Sequence, residues 1–345
     1  MMTKEEKYIN RCIQLARNGE GHVAPNPMVG AVIVYKGRII GEGYHARYGE
    51  AHAEVNAIRS VKDESLLKDS TIYVSLEPCA HYGKTPPCAK LIIEKQIPRV
   101  VIGCQDPFSK VAGRGIQMLR EAGVEVKVGV MEQACKDLIK KFILFNTKKR
   151  PYITLKWAES ADGYLDINRT DGKPVILSTA LTTMLVHKKR AEADGIIVGT
   201  RTALLDNPSL TVRNWYGKNP TRIVIDKDLS LPSSLHLFQE NIPTLCFTQK
   251  EASGNNDVEY IQLDFQSDIL PQMMTILYKK GIQSILVEGG SILLESFIKD
   301  NLWDEAYVEK SAVCLQDGVK APYIDRKSIC ENERHFGVTV CHYCQ

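Results

Sequence analysis

The chain has 345 residues, 44% of them hydrophobic and 25% charged, the proportions of a soluble globular protein long enough for two domains. A net charge of +3 is too small for a surface that coats nucleic acid, and no apolar run approaches the roughly 20 residues of a membrane span. The N-terminal stretch is charged and amphipathic and has no signal-peptide core, so the ten cysteines are expected to be reduced thiols of a cytoplasmic protein.

Tyr8, Ile9, Cys12, Ile13 and Ala16 recur at helical spacing, which predicts an amphipathic helix over 4–17, ended by Gly19 and Gly21. Ala24 to Gly30 is a proline-braced turn that holds Asn26 ahead of a strand over 31–35. Its amide reads either as a plain turn group or as a reader of a substrate amide or carbonyl. Lys36-Gly37 is a hairpin turn and 38–43 the returning strand. His45 follows, either at a pocket mouth or in solvent. A helix over 51–60 places His52 and Glu54 in its first turn. The strand over 71–76 cannot continue as a ladder past Pro78. Pro86-Pro87 open a helix over 88–95, where the helix dipole favours a thiolate at Cys88.

His52, Cys79 and Cys88 thus converge from two helix starts and one strand end. They are three ligands suited to Zn²⁺, with the fourth tetrahedral position left for a water. Glu54 is not needed as a ligand and is placed to carry protons to and from that water. The order His-x-Glu, Pro-Cys, Cys is that of zinc nucleobase deaminases. Eight residues separate Cys79 from Cys88, more than in that pattern, and the loop 80–87 reads as a substrate-specific insertion.

Further on, strands are expected over 100–104 and 124–128, and helices over 115–122 and 131–147. Lys148-Lys149-Arg150-Pro151 marks the boundary, giving domains of 1–147 and 148–345. The second has strands over 152–157, 195–198, 222–226, 244–247, 259–263 and 284–287, and helices over 180–193, 270–280 and 292–299. Small residues follow a strand at 198–202 and again at 286–291, a geometry that can aim backbone N–H groups at phosphate. Neither is a G-x-G-x-x-G fingerprint, and a tight turn explains each as well. Residues 337–343 alternate like an edge strand. Cys330, His335, Cys341, His342 and Cys344 raise the question of a second metal, but strand alternation is expected to split the last three between opposite faces.

Several segments decide the family. Pro25 to Gly30, Gly43-Tyr44-His45, His52-Ala53-Glu54 and Glu77 to Cys88 closely resemble the deaminase part of the bifunctional riboflavin-biosynthesis deaminase/reductase family. Arg150 to Tyr152, Lys156 to Ser160, Asp162-Gly163, Arg190-Ala191, Val198 to Thr200, Asp206 to Thr211 and Val287 to Gly290 resemble its reductase part. The resemblance implies α/β architecture: two three-layer α/β/α domains, cytidine-deaminase-like and then dihydrofolate-reductase-like. It implies one zinc ion per chain and NADPH. The chemistry would be zinc-dependent hydrolytic deamination of 2,5-diamino-6-(5-phosphoribosylamino)pyrimidin-4(3H)-one to 5-amino-6-(5-phosphoribosylamino)uracil, then reduction of the ribosyl group to ribityl. Asn26, His45, His81, Lys84 and Thr85 would contact the first substrate. NADPH would meet Ala158, Thr202, Asp206 and the helix start Gly290, Ser291, Ile292, Leu293, Leu294, Glu295 and Ser296. Lys156, Arg190, Leu210, Arg213 and Glu288 would contact the second substrate. The small-molecule phosphoribosyl-pyrimidine would be the partner, without nucleic acid or membrane, and the enzyme a homo-oligomer.

The chain departs from that family at Ile176 and Thr183, where a Trp and an Arg are expected, so an aromatic wall and a cation must be absent or supplied elsewhere. The alternative is a tRNA-editing type of zinc deaminase with an accessory α/β domain. It predicts a basic surface, against the near-balanced charge. A non-catalytic zinc scaffold would instead predict a closed fourth ligand and a dispensable Glu54.

Overall fold

The computed structural model describes residues 2–81, 86–107, 113–170, 173–239, 241–254 and 257–345. The chain divides into two compact units between Lys149 and Arg150.

In the first unit the order is α1 (Lys4–Ala16), β1 (Gly30–Tyr35), β2 (Arg38–Tyr44), α2 (Ala53–Arg59), β3 (Thr71–Leu76), α3 (Cys88–Glu94), β4 (Arg99–Cys104), α4 (Arg114–Glu121), β5 (Glu125–Val128), α5 (Glu132–Leu138) and α6 (Lys140–Lys148). Thr3 and Glu6 form a capping box that starts α1. Lys36 and Gly37 both take positive φ, as a tight hairpin between β1 and β2 requires. The sheet runs β2-β1-β3-β4-β5, antiparallel at its first two junctions and parallel at the others.

Alternation along these strands builds two cores. Ala31, Ile33, Ile72, Val74, Val100 and Ile102 pack with Ala57 of α2, Ile92 of α3 and Leu119 of α4. Val32, Val34, Tyr73 and Val101 face the other way, onto Ile9 and Ile13 of α1 and Cys135 of α5. That is a three-layer sandwich.

Two contacts fix the parts that carry the metal-ligand motif. A Cβ on Gly43 would lie 2.3 Å from the Ala57 nitrogen and 2.6 Å from the Ala53 carbonyl oxygen, so β2 touches the backbone of α2 directly. Glu77, buried after β3, receives four backbone N–H groups. Asp106 and Gly113 donate to Oε2 at 3.2 and 3.0 Å, and Gly115 and Ile116 to Oε1 at 2.9 and 3.2 Å. The carboxylate thereby ties the Pro78-Cys79 corner to the first turn of α4.

The second unit continues with β6 (Tyr152–Glu159), β7 (Tyr164–Asp166), α7 (Ala180–Ala191), β8 (Gly195–Val198), α8 (Thr200–Asp206), β9 (Thr221–Ile225), β10 (Thr244–Thr248), β11 (Val258–Gln262), α9 (Ile269–Lys279), β12 (Ser284–Glu288), α10 (Ser291–Lys299), β13 (Glu305–Lys310), β14 (Val319–Lys320), β15 (Ile329–His335) and β16 (Val338–Cys344). Its main sheet runs β11-β10-β9-β8-β12-β6-β13-β16-β15, parallel through β13 and antiparallel in the last two pairings. Phe247, Ile285 and Val287 face α9 and α10, while Ile196, Val224 and Cys246 face the opposite core. Arg150 grips Asp304 with both terminal nitrogens, at 2.7 and 2.8 Å.

The structure corrects four sequence expectations. His52 is the extended N-cap of α2, not a residue of its first turn. That backbone lets its ring diverge from the side of the helix. The helix expected over 131–147 is broken at Ile139, where the ladder tightens to a bond from the Ile139 N–H to the Lys136 carbonyl. The segment 337–343 lies in β16, an inner strand, because β15 covers it as the edge. The charged ends of β13 and β15 had hidden both strands. Cys330 and Cys344 are joined as a disulfide rather than reduced, since an irregular β15–β16 pairing brings their Cα atoms to 5.9 Å. The expected split of the last three candidate ligands holds: His342 and Cys344 share a face of β16, with Cys341 and Tyr343 in the core behind them.

Replacing Gly43 by Ala is expected to push α2 away from the sheet, costing about 1–3 kcal/mol as overpacking does. A lower urea midpoint together with reduced zinc content checks this. Glu77→Gln turns one acceptor into a donor facing N–H groups and is expected to cost about 3 kcal/mol, read as a lower Tm.

Candidate active sites

In the first unit His52 Nδ1 lies 3.4 Å from Cys88 Sγ and 3.7 Å from Cys79 Sγ. The three donor atoms all fall within 4.8 Å of one another. An N/S/S set at these separations suits a tetrahedral zinc ion with one position open. The backbone N–H of Cys88, at the start of α3, points not at its own sulfur but at Cys79 Sγ, 3.3 Å away. A hydrogen bond from Cys88, with His52 adding, draws the Cys79 thiol down to about 4. The same bond and burial push the Cys88 thiol up.

Glu54 is buried beside these ligands and provides none of the three. Burial, with the charge of Cys79 adding, pushes its carboxyl up to about 7, so it can hold or release a proton near neutral pH. His45 is buried, 5.4 Å ring to ring from His52. Its Nδ1 meets the Ala51 carbonyl at 3.1 Å, which can only accept, so that nitrogen carries the proton. Nε2 then accepts from the Asn26 amide at 3.1 Å. Burial lowers the His45 pKa and keeps this neutral form. Asn26 and His45 are therefore one unit. His81 is exposed between the two cysteines, and Lys84 and Thr85 lie outside the described residues.

In the second unit a cleft of about 360 Å³ opens over the sheet. Of the expected cofactor residues, Ala158, Thr202, Asp206, Gly290 and Ser291 line it. Gly289 and Gly290 take φ of 101° and 79°, and a Cβ on either would come within 3.3 Å of Thr202. The two small-residue turns thus face each other, leaving a cradle free of side chains on that side. Farther along α10, Leu293 and Leu294 turn into the core, Ile292 is exposed, and Glu295 and Ser296 do not reach the cleft lining.

Lys156 and Glu288 stand side by side across β6 and β12 and both line the cleft. Burial lowers the Lys156 pKa, opposed by Glu288 and Glu309. Burial works against ionising Glu288, yet Arg190 holds its carboxyl below the usual range. Arg190 is fully engaged: Nε and Nη2 meet Glu288 at 2.9 and 2.7 Å, and Nη1 donates to the Thr211 carbonyl at 3.1 Å. Arg213 donates its backbone N–H to His187 and its guanidinium to Thr211 Oγ1. Leu210 is in the core below.

The structure also places residues that spacing did not single out. Arg169 is buried between Asp166 and Asp206, and Arg201 lines the same cleft near Ile176 and Thr183. Both line the same cleft as Ile176 and Thr183. No sequence signal marks Arg169, because Asp206 of α8, 37 residues on, completes its surroundings.

Comparison with known proteins identifies both domains. Residues 2–104 match the cytidine and deoxycytidylate deaminase zinc-binding region, and residues 151–310 match the RibD C-terminal domain. The riboflavin biosynthesis protein RibD of Bacillus amyloliquefaciens is 42% identical over 92% of this chain and 87% of its own length. That of Aquifex aeolicus is 36% identical over 95% and 92%. A crystal structure of a diaminohydroxyphosphoribosylaminopyrimidine deaminase/5-amino-6-(5-phosphoribosylamino)uracil reductase from Thermotoga maritima superposes with a TM-score of 0.89, at 36% identity, covering 99% of this chain and 98% of that one. The chain belongs to the bifunctional riboflavin-biosynthesis deaminase/reductase family, an enzyme with a zinc-dependent deaminase domain and an NADPH-dependent reductase domain.

Proposed function

We propose that the first unit deaminates 2,5-diamino-6-(5-phosphoribosylamino)pyrimidin-4(3H)-one and that the second reduces the ribosyl group of the product to ribityl. The observation that carries this reading is a protonatable, buried Glu54 beside a three-donor His/Cys/Cys set, in one chain with a Lys/Glu-lined cleft. His52 Nδ1, Cys79 Sγ and Cys88 Sγ would hold zinc, which when bound supplies Lewis-acid activation of a water. Glu54 accepts a proton from that water and delivers protons to the ring nitrogen and the departing ammonia. Asn26, its amide nitrogen committed to His45, presents its oxygen to the pyrimidine. His81, Lys84 and Thr85 complete the binding of the phosphoribosyl end, where a cation and a hydroxyl suit phosphate.

In the second unit Ala158, Thr202, Asp206, Gly290 and Ser291 border the place for NADPH, which supplies a hydride. Residues 292–296 support that turn from behind. Lys156 and Glu288 face the open-chain sugar; Arg190 keeps Glu288 ionised and oriented, Arg213 serves the phosphate, and Leu210 packs beneath. Arg201 supplies the cationic side of the cleft, with Arg169 held between its two aspartates. We extend the reading to a cytoplasmic homo-oligomer that takes a free nucleotide-like molecule rather than nucleic acid, supported by the near-balanced charge and the family. No described helix is long and apolar enough to cross a membrane.

Ammonia release followed by NADPH oxidation, on the diaminopyrimidine ribotide, tests both steps and their order. Ammonia from an RNA stem-loop and none from the ribotide would overturn the substrate. Glu54→Gln is expected to retain zinc by metal analysis while deamination falls about 10²–10⁴-fold. NADPH oxidation on the already deaminated substrate should stay unchanged in that variant. Lys156→Met should do the reverse, leaving ammonia release intact and cutting NADPH oxidation at least ~10-fold through the lost charged contact.

A further inference from the structure

A second donor cluster lies outside both sites. β13 and β16 pair so that Glu305 is opposite Cys344 and Tyr307 opposite His342. His342 Nε2 is 3.6 Å from Glu305 Oε1 and 3.8 Å from Cys344 Sγ, and the three donor atoms fall within 4.8 Å of one another. Zn–N, Zn–O and Zn–S bonds of ordinary length at tetrahedral angles put ligand atoms roughly 3.3–3.8 Å apart. These separations match, and so do those in the deaminase site, 3.4 and 3.7 Å. Cys330 Sγ is not among those three donors, but its bond to Cys344 Sγ ties a second sulfur to the edge of the set.

The surroundings orient this set. The Tyr307 ring stacks on His342 at 4.4 Å and 6°, fixing the imidazole plane. The Tyr307 hydroxyl donates to Glu305 Oε2 at 3.4 Å, on the oxygen that does not face His342. Such partners behind the ligands are what a metal site needs to hold its geometry. Glu305 and His342 side chains are 9% and 15% exposed, whereas Cys330 is on the surface, so the cluster is sheltered yet reachable.

We propose that Glu305, His342, Cys344 and Cys330 form a second zinc site, available when the Cys330–Cys344 bond is reduced. A dithiol reductant supplies two electrons to the S–S bond, which breaks, and each sulfur takes a proton. Zinc then displaces both protons, and the sulfurs bind as thiolates beside the imidazole and the carboxylate. The disulfide and the metal exclude each other because each uses the same two sulfurs.

The test counts zinc per full-length chain after loading and gel filtration with a dithiol present. Two per chain are expected, falling to one after oxidation with diamide. Cys330→Ser and His342→Ala should each carry one under reducing conditions and keep deamination. The surface position of Cys330 makes its variant the safer for folding. One zinc in the reduced wild type, two in the Cys330→Ser protein, or two surviving full oxidation would each overturn the proposal.

Discussion

The deaminase site rests on the carboxylate of Glu77. Three metal donors reach one point from an N-cap, a strand end and a helix start, and nothing in their covalent connection keeps those elements together. Glu77 fixes one of them, tying the strand end that carries Cys79 to Asp106 and the start of α4 through four N–H groups. Those groups would otherwise be orphans of a helix start and its preceding loop. The direct contact of Gly43 with α2 does the same for His52 and Glu54. A buried anion and a missing side chain thus set the position of the chemistry from outside it.

In the second unit positioning is electrostatic. Burial works against the charge of Glu288 and the two-nitrogen grip of Arg190 holds it, with Lys156 alongside on the cleft floor. Arg169 is likewise held between Asp166 and Asp206. Charged groups here are spent on one another first, and what remains unspent faces the ligand.

Local pattern made much of this legible. The His-x-Glu and Pro-Cys…Cys order gave the ligands and the proton carrier, and strand alternation gave both faces of the first sheet. What escaped was whatever depends on pairing between distant segments. That the α3 N–H meets the sulfur of Cys79 rather than that of Cys88 is one such detail. The engagement of Arg190 follows from strand order. β13 and β15 went unread because their charged residues look like surface, and without them β16 passed for an edge. The shared face of His342 and Cys344 was available from their spacing of two, but counting Cys341 among the candidate ligands obscured it.

The placement of β6 has a consequence for synthesis. This first strand of the second unit lies between β12 and β13, and Arg150 at its start is tied to Asp304, a partner 154 residues later. As the chain leaves the ribosome, the described strands of the first unit are all present by Val128 and it can close early, whereas the second must wait with the inner strand β6 unpaired until β12 and β13 emerge. The hydrophobic run of β6 is then an exposed edge for most of that interval, the stage at which this enzyme is most open to aggregation and most in need of a chaperone.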